Sequence, residues 1–381
     1  MSESRDAEIV YFSSIFPVPW DTTKAAFSYQ LTQHMQKKVA IHYVIPVPVA
    51  TWFSQVLLKR NSSKSANVTL FPFFYIPKFA RFTYPFSLFL SMCVCIVPLI
   101  KMLKAKHVIA SWAYPDGVCA AIIQKLAGYQ LTIECLGSDV NVHIESRMRR
   151  SQMLWAFKQA ICVVTKSDAL ARLIKSKDSN IKTRTIYNGV NFERFKLSTK
   201  SPSVEVKLLF VGSMIKTKGI FELLESALTL VGESHKFTLT MVGKGEGLAQ
   251  AKAFVDAHQL SNTVKILGAL PHADVAELLN TADALILPSY REGLPNVMLE
   301  AIATGTPAIV TPVGGVPEIL NDGKNGILLK DYQSDSIVEG IKRFSEFEWS
   351  PAEIRSSIAH MTWENSVNSR LELFPQLLNR K

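Results

Sequence analysis

Ala284-Leu-Ile-Leu-Pro-Ser-Tyr-Arg-Glu-Gly-Leu-Pro-Asn-Val-Met-Leu-Glu-Ala-Ile-Ala-Thr-Gly-Thr-Pro-Ala-Ile-Val-Thr-Pro-Val-Gly-Gly-Val-Pro-Glu-Ile-Leu320 is the stretch on which the reading of this chain turns. The apolar run from Ala284 to Leu287 predicts a buried strand, stopped by Pro288. Ser289 to Asn296 is a polar loop punctuated by Gly293 and Pro295. A helix opens at Pro295 or Asn296, both suited to a helix start, and runs to about Thr304. Gly305 suits the residue just past its end. Ala308 to Val310 reads as the next strand and Gly314-Gly315 as the following loop.

Two carboxylates stand in this stretch. Glu292 lies on the loop and Glu300 one to two turns into the helix. A loop that ends at a helix N-terminus offers free N–H groups and the positive end of the dipole, which favour an anion. A diphosphate held there would place one carboxylate against a sugar. The other would meet a ribose diol, whose hydroxyls a carboxylate accepts in charge-assisted hydrogen bonds. Taken alone, the pair also fits a solvated loop glutamate and a helix-surface glutamate near a favourable dipole.

The context is more specific than the pair. Glu292-Gly-Leu-Pro-Asn-Val-Met-Leu-Glu300, then Ala-Ile-Ala-Thr-Gly-Thr-Pro and Gly-Gly-Val-Pro-Glu, resembles the donor-site signature of glycosyltransferase family 4. Those are retaining nucleotide-sugar transferases of GT-B fold. The resemblance implies a donor site formed by Ser289, Glu292, Gly293, Leu294, Pro295, Asn296 and Glu300. It also implies that no cofactor and no essential metal take part, the nucleotide-sugar being a substrate.

The chain has 381 residues, 48% hydrophobic and 19% charged, enough for two ordinary domains with substantial cores. Five cysteines lie in or near apolar runs with no Cys-x-x-Cys, and no targeting segment precedes them, which fits buried thiols in a reducing cytosol. The eight histidines show no metal-ligand spacing. Net charge is +10 and uneven: residues 1–195 hold 24 Lys+Arg against 11 Asp+Glu, and the remainder 18 against 21. A basic first half suits an anionic lipid surface or an acidic saccharide. Without a helix-turn-helix, zinc finger or RNA-recognition motif, nucleic acid is not an expected partner.

Two features of the first half bear on that surface. Pro85 to Ile100 is an apolar run of about 16 residues, shorter than the ~20 a spanning helix needs and interrupted by Pro98. It reads either as a buried helix or as one that dips a face into a bilayer interface, with Lys78, Arg81, Lys101, Lys104 and Lys106 at the headgroups. Phe71 to Tyr84 is aromatic and basic, fitting either satellite core or a surface for sugar rings.

Strands and helices alternate along both halves. Strands are expected at Glu8–Ile15, Val39–Val47, Val68–Phe74, Val108–Ser111, Leu131–Leu136 and Cys162–Thr165, with Ser62–Ala66 a polar loop. A second series begins at Val206–Gly212 and continues through Phe237–Val242 and Val264–Gly268. Residues 1–195 form the expected acceptor-binding domain, 196–204 a linker, and 205–362 the donor-binding domain, with a helix at about 363–381 crossing back to the first. The alternation predicts an α/β fold of two Rossmann-like, doubly wound parallel sheets facing a cleft, which the resemblance implies to be GT-B.

The family pattern extends into the loops. Ser213-Met-Ile-Lys-Thr-Lys-Gly219 matches a phosphate-side loop in which Lys218 keeps the family's lysine while Ser213 stands where arginine is usual. A bidentate contact is lost there, and Lys216 is positioned to compensate. Gly243 and Gly245 alternate in the next exit loop, near the nucleotide. On the acceptor side, Trp20, Asp21 and Thr22 replace a usual glycine pair. Tyr114-Pro-Asp-Gly117 and Gly137-Ser138-Asp139-Val-Asn141 resemble loops of enzymes that build teichuronic acid, capsule or other exopolysaccharide, with Leu136 in place of a usual His or Arg. Asp139 reads either as a helix cap or as a site carboxylate.

The expectation is a retaining glycosyltransferase. It moves a hexose-type sugar from a UDP- or GDP-sugar to a saccharide or lipid-linked acceptor, working in the cytoplasm or as a peripheral protein on the inner face of the membrane. Glu292, Lys218 and Asp139 are the catalytic candidates. Three other readings stay open: a nucleotide-sugar epimerase of the same fold, an enzyme acting on a sugar phosphate, and a binding protein with a decayed donor site.

Overall fold

The computed structural model describes residues 9–21, 25–58, 67–75, 80–197 and 205–375. Expectations resting on Thr22, on Ser62–Ala66, on Lys78, on most of the linker and on the chain beyond residue 375 lie outside them. The chain divides into two compact units, Met1–Asn188 with Trp363–Lys381, and Gly189–Thr362.

The first unit holds a seven-stranded, all-parallel sheet in the order β3-β2-β1-β4-β5-β6-β7. Its strands are β1 (Ile9–Phe12), β2 (Ile41–Pro48), β3 (Val68–Phe73), β4 (His107–Ser111), β5 (Gln130–Cys135), β6 (Cys162–Thr165) and β7 (Thr183–Thr185). Helices cover both faces, so the strand sequences are almost continuously apolar. Val10, Phe12, Val108 and Ala110 face one core, while Ile9, Tyr11 and Ile109 face the other. The Trp363–Leu371 helix packs on the second face beside the Ala26–Gln36 helix.

A buried charge cluster ties that helix down. The Arg370 Nε donates to Glu134 Oε1 at 2.6 Å, and Lys166 Nζ lies 3.8 Å from Oε2. Glu134 and Arg370 are 1% exposed and Lys166 5%. Burial pushes the Glu134 carboxyl up, but Lys166 and Arg370 outweigh it and hold the group below its usual range. Burial, aided by Arg370, brings Lys166 down to about 8.

The second unit repeats the plan with six parallel strands in the order β10-β9-β8-β11-β12-β13. They are β8 (Val206–Val211), β9 (Phe237–Val242), β10 (Val264–Gly268), β11 (Ala284–Leu287), β12 (Ala308–Val310) and β13 (Gly326–Leu328). In each sheet the winding reverses once, between β1 and β4 and between β8 and β11. At such a switch point the loops leaving the carboxyl ends part, and ligands bind there.

Two local expectations change. The apolar run around residues 85–100 is not one helix but two, Tyr84–Cys95 and Val97–Leu103, bent by 103°. The break falls at Ile96 (φ 56), and Pro98 sits in the first turn of the second helix, where its missing N–H costs nothing. Leu88 and Met92 are fully buried, whereas Phe86, Leu90 and Val94 on the opposite side are exposed. Gly137 (φ 116) is followed at once by a helix, Ser138–His143, which takes up most of the expected 137–141 exit loop.

Candidate functional site

The loops at the second unit's switch point are drawn into contact by glycine. Gly219 has φ 71, and a Cβ there would lie 2.0 Å from the Pro288 carbonyl oxygen, so only glycine lets the β8 and β11 loops touch. A Cβ on Gly243 would lie closer still to the Gly212 carbonyl oxygen, at 1.7 Å. The Tyr290 N–H donates to the Thr217 carbonyl at 3.0 Å, closing the junction.

Across that junction Lys218 Nζ donates to Glu292 Oε1 at 2.5 Å. Ser289 Oγ donates to the same oxygen at 2.8 Å. The pair is partly sheltered, with the glutamate side chain 11% exposed and the lysine 25%. The loop beneath is clamped on its other side as well. Thr311 Oγ1 donates to the Ser289 carbonyl and the Gly315 N–H to the Gly293 carbonyl, both at 2.5 Å. Tyr290 donates its hydroxyl to Glu222 and stacks on Tyr332 with centroids 3.9 Å apart; burial and Glu222 raise its phenol. The Asn296–Ala303 helix starts directly after Pro295 with no side-chain cap. A partly sheltered ammonium and carboxylate thus sit at the loop that leads into a helix without a side-chain cap, a setting that suits a ligand with both anionic and hydroxyl groups.

Glu300 lies one to two turns into that helix and is 4% exposed. Its Oε1 is 2.7 Å from His272 Nε2, and His272 Nδ1 is 2.9 Å from Arg194 Nη1. A guanidinium only donates, so Nδ1 accepts and Nε2 carries the proton given to Glu300. Burial pushes the Glu300 carboxyl up, and His272 opposes this. Neither His272 nor Arg194 is marked in the sequence as a site residue. The only hint is that His272 opens the helix directly before the decisive stretch. Ser213, Lys216 and Gly245 stand exposed on the loops after β8 and β9, with Gly243 partly so.

In the first unit the switch point is also bridged. The Ser14 N–H and Oγ donate to Asp116 Oδ2 at 2.6 and 2.9 Å, joining the β1 and β4 loops through a fully buried carboxylate. Asp139 behaves similarly, and neither sequence expectation describes it. Its Oδ1 accepts from the Leu136 and Gly137 N–H groups at 3.0 and 2.8 Å, and Oδ2 from Ala113 at 2.7 Å. With no exposed surface, it ties the loops after β4 and β5 together. It neither caps its own helix, whose first flanking residue is Gly137, nor offers a free oxygen to an acceptor. Tyr114 is also buried, its hydroxyl spent on the Arg81 carbonyl. Ser138 is exposed, and Trp20 rests half-buried on a turn in which Val18 and Asp21 exchange backbone hydrogen bonds of 2.9 and 3.1 Å.

Residues 191–359 match the family described as "Glycosyl transferases group 1". This segment is a group 1 glycosyltransferase domain. Similar proteins extend the likeness beyond it. TuaC of Bacillus subtilis strain 168, a glycosyltransferase named for teichuronic acid biosynthesis, is 25% identical over 90% of this chain and 91% of its own. WcaL of Salmonella typhimurium, named for colanic acid biosynthesis, is 24% identical over 68% of this chain and 67% of its own. Among solved structures, Anabaena HepE in complex with UDP and glucose superposes with a TM-score of 0.75 over 97% of this chain and 99% of that one, at 17% identity. Sucrose-phosphate synthase from Thermosynechococcus elongatus gives 0.73 over 97% and 99%, at 18% identity. The architecture is therefore GT-B, and the glycosyltransferase domain carries the Lys218–Glu292 pair and the His272–Glu300 pair.

Proposed function

We propose that the protein is a retaining family 4 glycosyltransferase that uses a nucleoside-diphosphate sugar, UDP- or GDP-linked, as donor. One observation carries this reading: Lys218 and Glu292 meet at 2.5 Å over the switch point of the glycosyltransferase domain, beside the uncapped Asn296–Ala303 helix. In this reading Lys218 and the helix amides stabilise charge on the departing diphosphate, which is the electrostatic contribution that usually dominates. Glu292, fixed by Lys218 and Ser289, accepts from a hydroxyl of the donor hexose. Glu300, aimed by His272, accepts from the ribose. Ser213 and Lys216 flank the phosphates, taking the place of the family's arginine. The departing diphosphate assists on the face where the acceptor arrives, so neither a nucleophilic side chain nor an essential metal is invoked.

The acceptor in this reading is a saccharide or lipid-linked saccharide of a cell-surface polysaccharide, the class named for TuaC and WcaL. The enzyme works on the cytoplasmic side, peripherally at the membrane. Asp139, Asp116 and Tyr114 shape the first unit's loops from within, leaving Ser138 and the Trp20 turn to meet the acceptor.

The test is incubation of the purified protein with UDP-, GDP- and ADP-sugars without acceptor, followed by NMR. Slow release of one sugar, first as the alpha anomer from an alpha-linked donor, is the expected result. Conversion of the donor into another intact nucleotide-sugar, or silence with no nucleotide binding, would overturn the proposal.

A further inference from the structure

The bent helix pair leaves an apolar surface that no element among the described residues of the first unit covers. Along the Tyr84–Cys95 helix, Phe86, Leu90 and Val94 recur every four residues and so lie on one line. They are 54%, 64% and 75% exposed. Beyond the bend Ile96, Val97, Ile100 and Leu103 continue the surface, each at least 40% exposed. Large side chains so exposed in an unbroken row mark an interaction site rather than chance. Phe86 also walls an open apolar groove of about 660 Å³, lined further by Phe89, Ile122, Leu126 and Trp155.

Charge identifies the occupant. From residue 22 to residue 115 the sequence contains 11 Lys+Arg and no Asp or Glu. Arg81, Lys101, Lys104, Lys106 and Lys125 are all exposed on or beside the two helices and the groove. An apolar face on a segment that carries cations and no carboxylate matches an anionic bilayer, with hydrocarbon beneath and phosphates at the edge. The pair does not cross such a bilayer as one rod. No single helix among the described residues is long and apolar enough, and Leu88 and Met92 on the inner side belong to the protein core.

We infer that the Tyr84–Cys95 and Val97–Leu103 helices form a monotopic docking surface for an anionic bilayer, with the adjoining groove receiving one hydrocarbon chain. This deepens the peripheral placement proposed above, and its test reads binding alone, with no sugar present, so the two stand or fall separately.

The experiment is co-sedimentation of the full chain with phosphatidylcholine vesicles, with and without phosphatidylglycerol. Chains brominated near the headgroup serve as quenchers of tryptophan fluorescence. Binding is expected to need phosphatidylglycerol and to weaken with salt, about fivefold for each of Lys101→Gln and Lys104→Gln. Leu90→Glu with Val94→Glu, at exposed positions the fold does not use, removes binding while the thermal transition stays in place. Quenching falls selectively in Trp155→Phe. Equal binding to both vesicle types, binding untouched by the double variant, or a concentration-dependent dimer broken by that variant without vesicle binding would each overturn the inference.

Discussion

The Lys218–Glu292 pair gives the sharpest prediction, because each side chain is held through the other. Glu292 Oε1 receives two hydrogen bonds, from Lys218 at 2.5 Å and Ser289 at 2.8 Å. Glu292→Gln removes the charge that holds Lys218 at the phosphate side, and Lys218→Ala removes the cation itself. Loss of one positioned electrostatic group typically costs ~10²–10³ in kcat, or about 2.7–4 kcal/mol. Independent contributions would multiply to at least ~10⁴ in the double variant. A pair that works as one unit should instead stop near ~10²–10³, a coupling of about 1.4 kcal/mol or more. Ser289→Ala deletes only the second hydrogen bond, worth about 1 kcal/mol, so roughly a fivefold loss is expected. The assay is donor turnover by the native protein and the four variants under identical conditions, with nucleotide binding measured separately. Near-normal turnover in both single variants would refute the assignment, and a fully multiplicative double variant would refute the shared role.

Other residues make separate predictions. His272→Ala should raise the donor KM more than it lowers kcat, by about tenfold, since Glu300 loses a charge-assisted hydrogen bond of about 1.5–3 kcal/mol; an unchanged KM would dismiss His272 as its support. Gly219→Ala forces a Cβ onto the Pro288 carbonyl at a left-handed φ. It should destabilise the glycosyltransferase domain by more than about 1 kcal/mol in urea unfolding and weaken nucleotide binding together. Glu134→Gln strands two buried cations and should cost ~3–5 kcal/mol, whereas replacing Glu134, Lys166 and Arg370 together by apolar residues should cost far less; equal losses by calorimetry would contradict that. The same cluster sets a pH dependence. Lys166 loses its proton in the folded state near 8 but near 10.4 when unfolded, so between these values the unfolded chain binds more protons and stability rises with pH. The stability of the native protein relative to Lys166→Met should therefore grow by up to ~3 kcal/mol across that window, and a flat difference would rule it out.

How much of this could be read in advance depended on how local the cause was. Strand periodicity and the Gly, Pro and Asn punctuation from Ala284 to Gly315 are local, so β11, the Asn296–Ala303 helix and β12 fall within a residue or two of their expected bounds. The parallel order of both sheets follows from alternation of strands and helices, a pattern also visible along the chain. The resemblance to glycosyltransferases, read as family 4, was legible because Glu292, Glu300, Lys218 and the glycines keep their spacing. The roles of buried carboxylates were not. Asp139 sits in a Gly-Ser-Asp sequence that would suit a cap or a ligand equally well. What decides against both is the Ala113 N–H, 26 positions away, which reaches its second oxygen. Arg370 and Glu134 are separated by 236 positions. No window of sequence connects them, and only the return of the last helix to the first sheet does.

The same distinction explains the apolar run around residues 85–100. Its composition allows burial or exposure, since hydropathy averages over all sides of a helix. The structure separates the sides: Leu88 and Met92 serve the core, and Phe86, Leu90 and Val94 serve nothing within the described residues of the first unit. A row of this kind is costly to keep in water, at about 25 cal/mol for each Å² of apolar surface that could have been covered. Substituting polar residues there would leave the core untouched, so folding alone does not demand an apolar row. The inferred bilayer would hide it, and a segment of more than ninety residues without one acidic side chain suits an anion-bearing surface. If vesicles fail to bind, the bilayer inference falls, whereas the donor site, built from loops in the other unit, is unaffected.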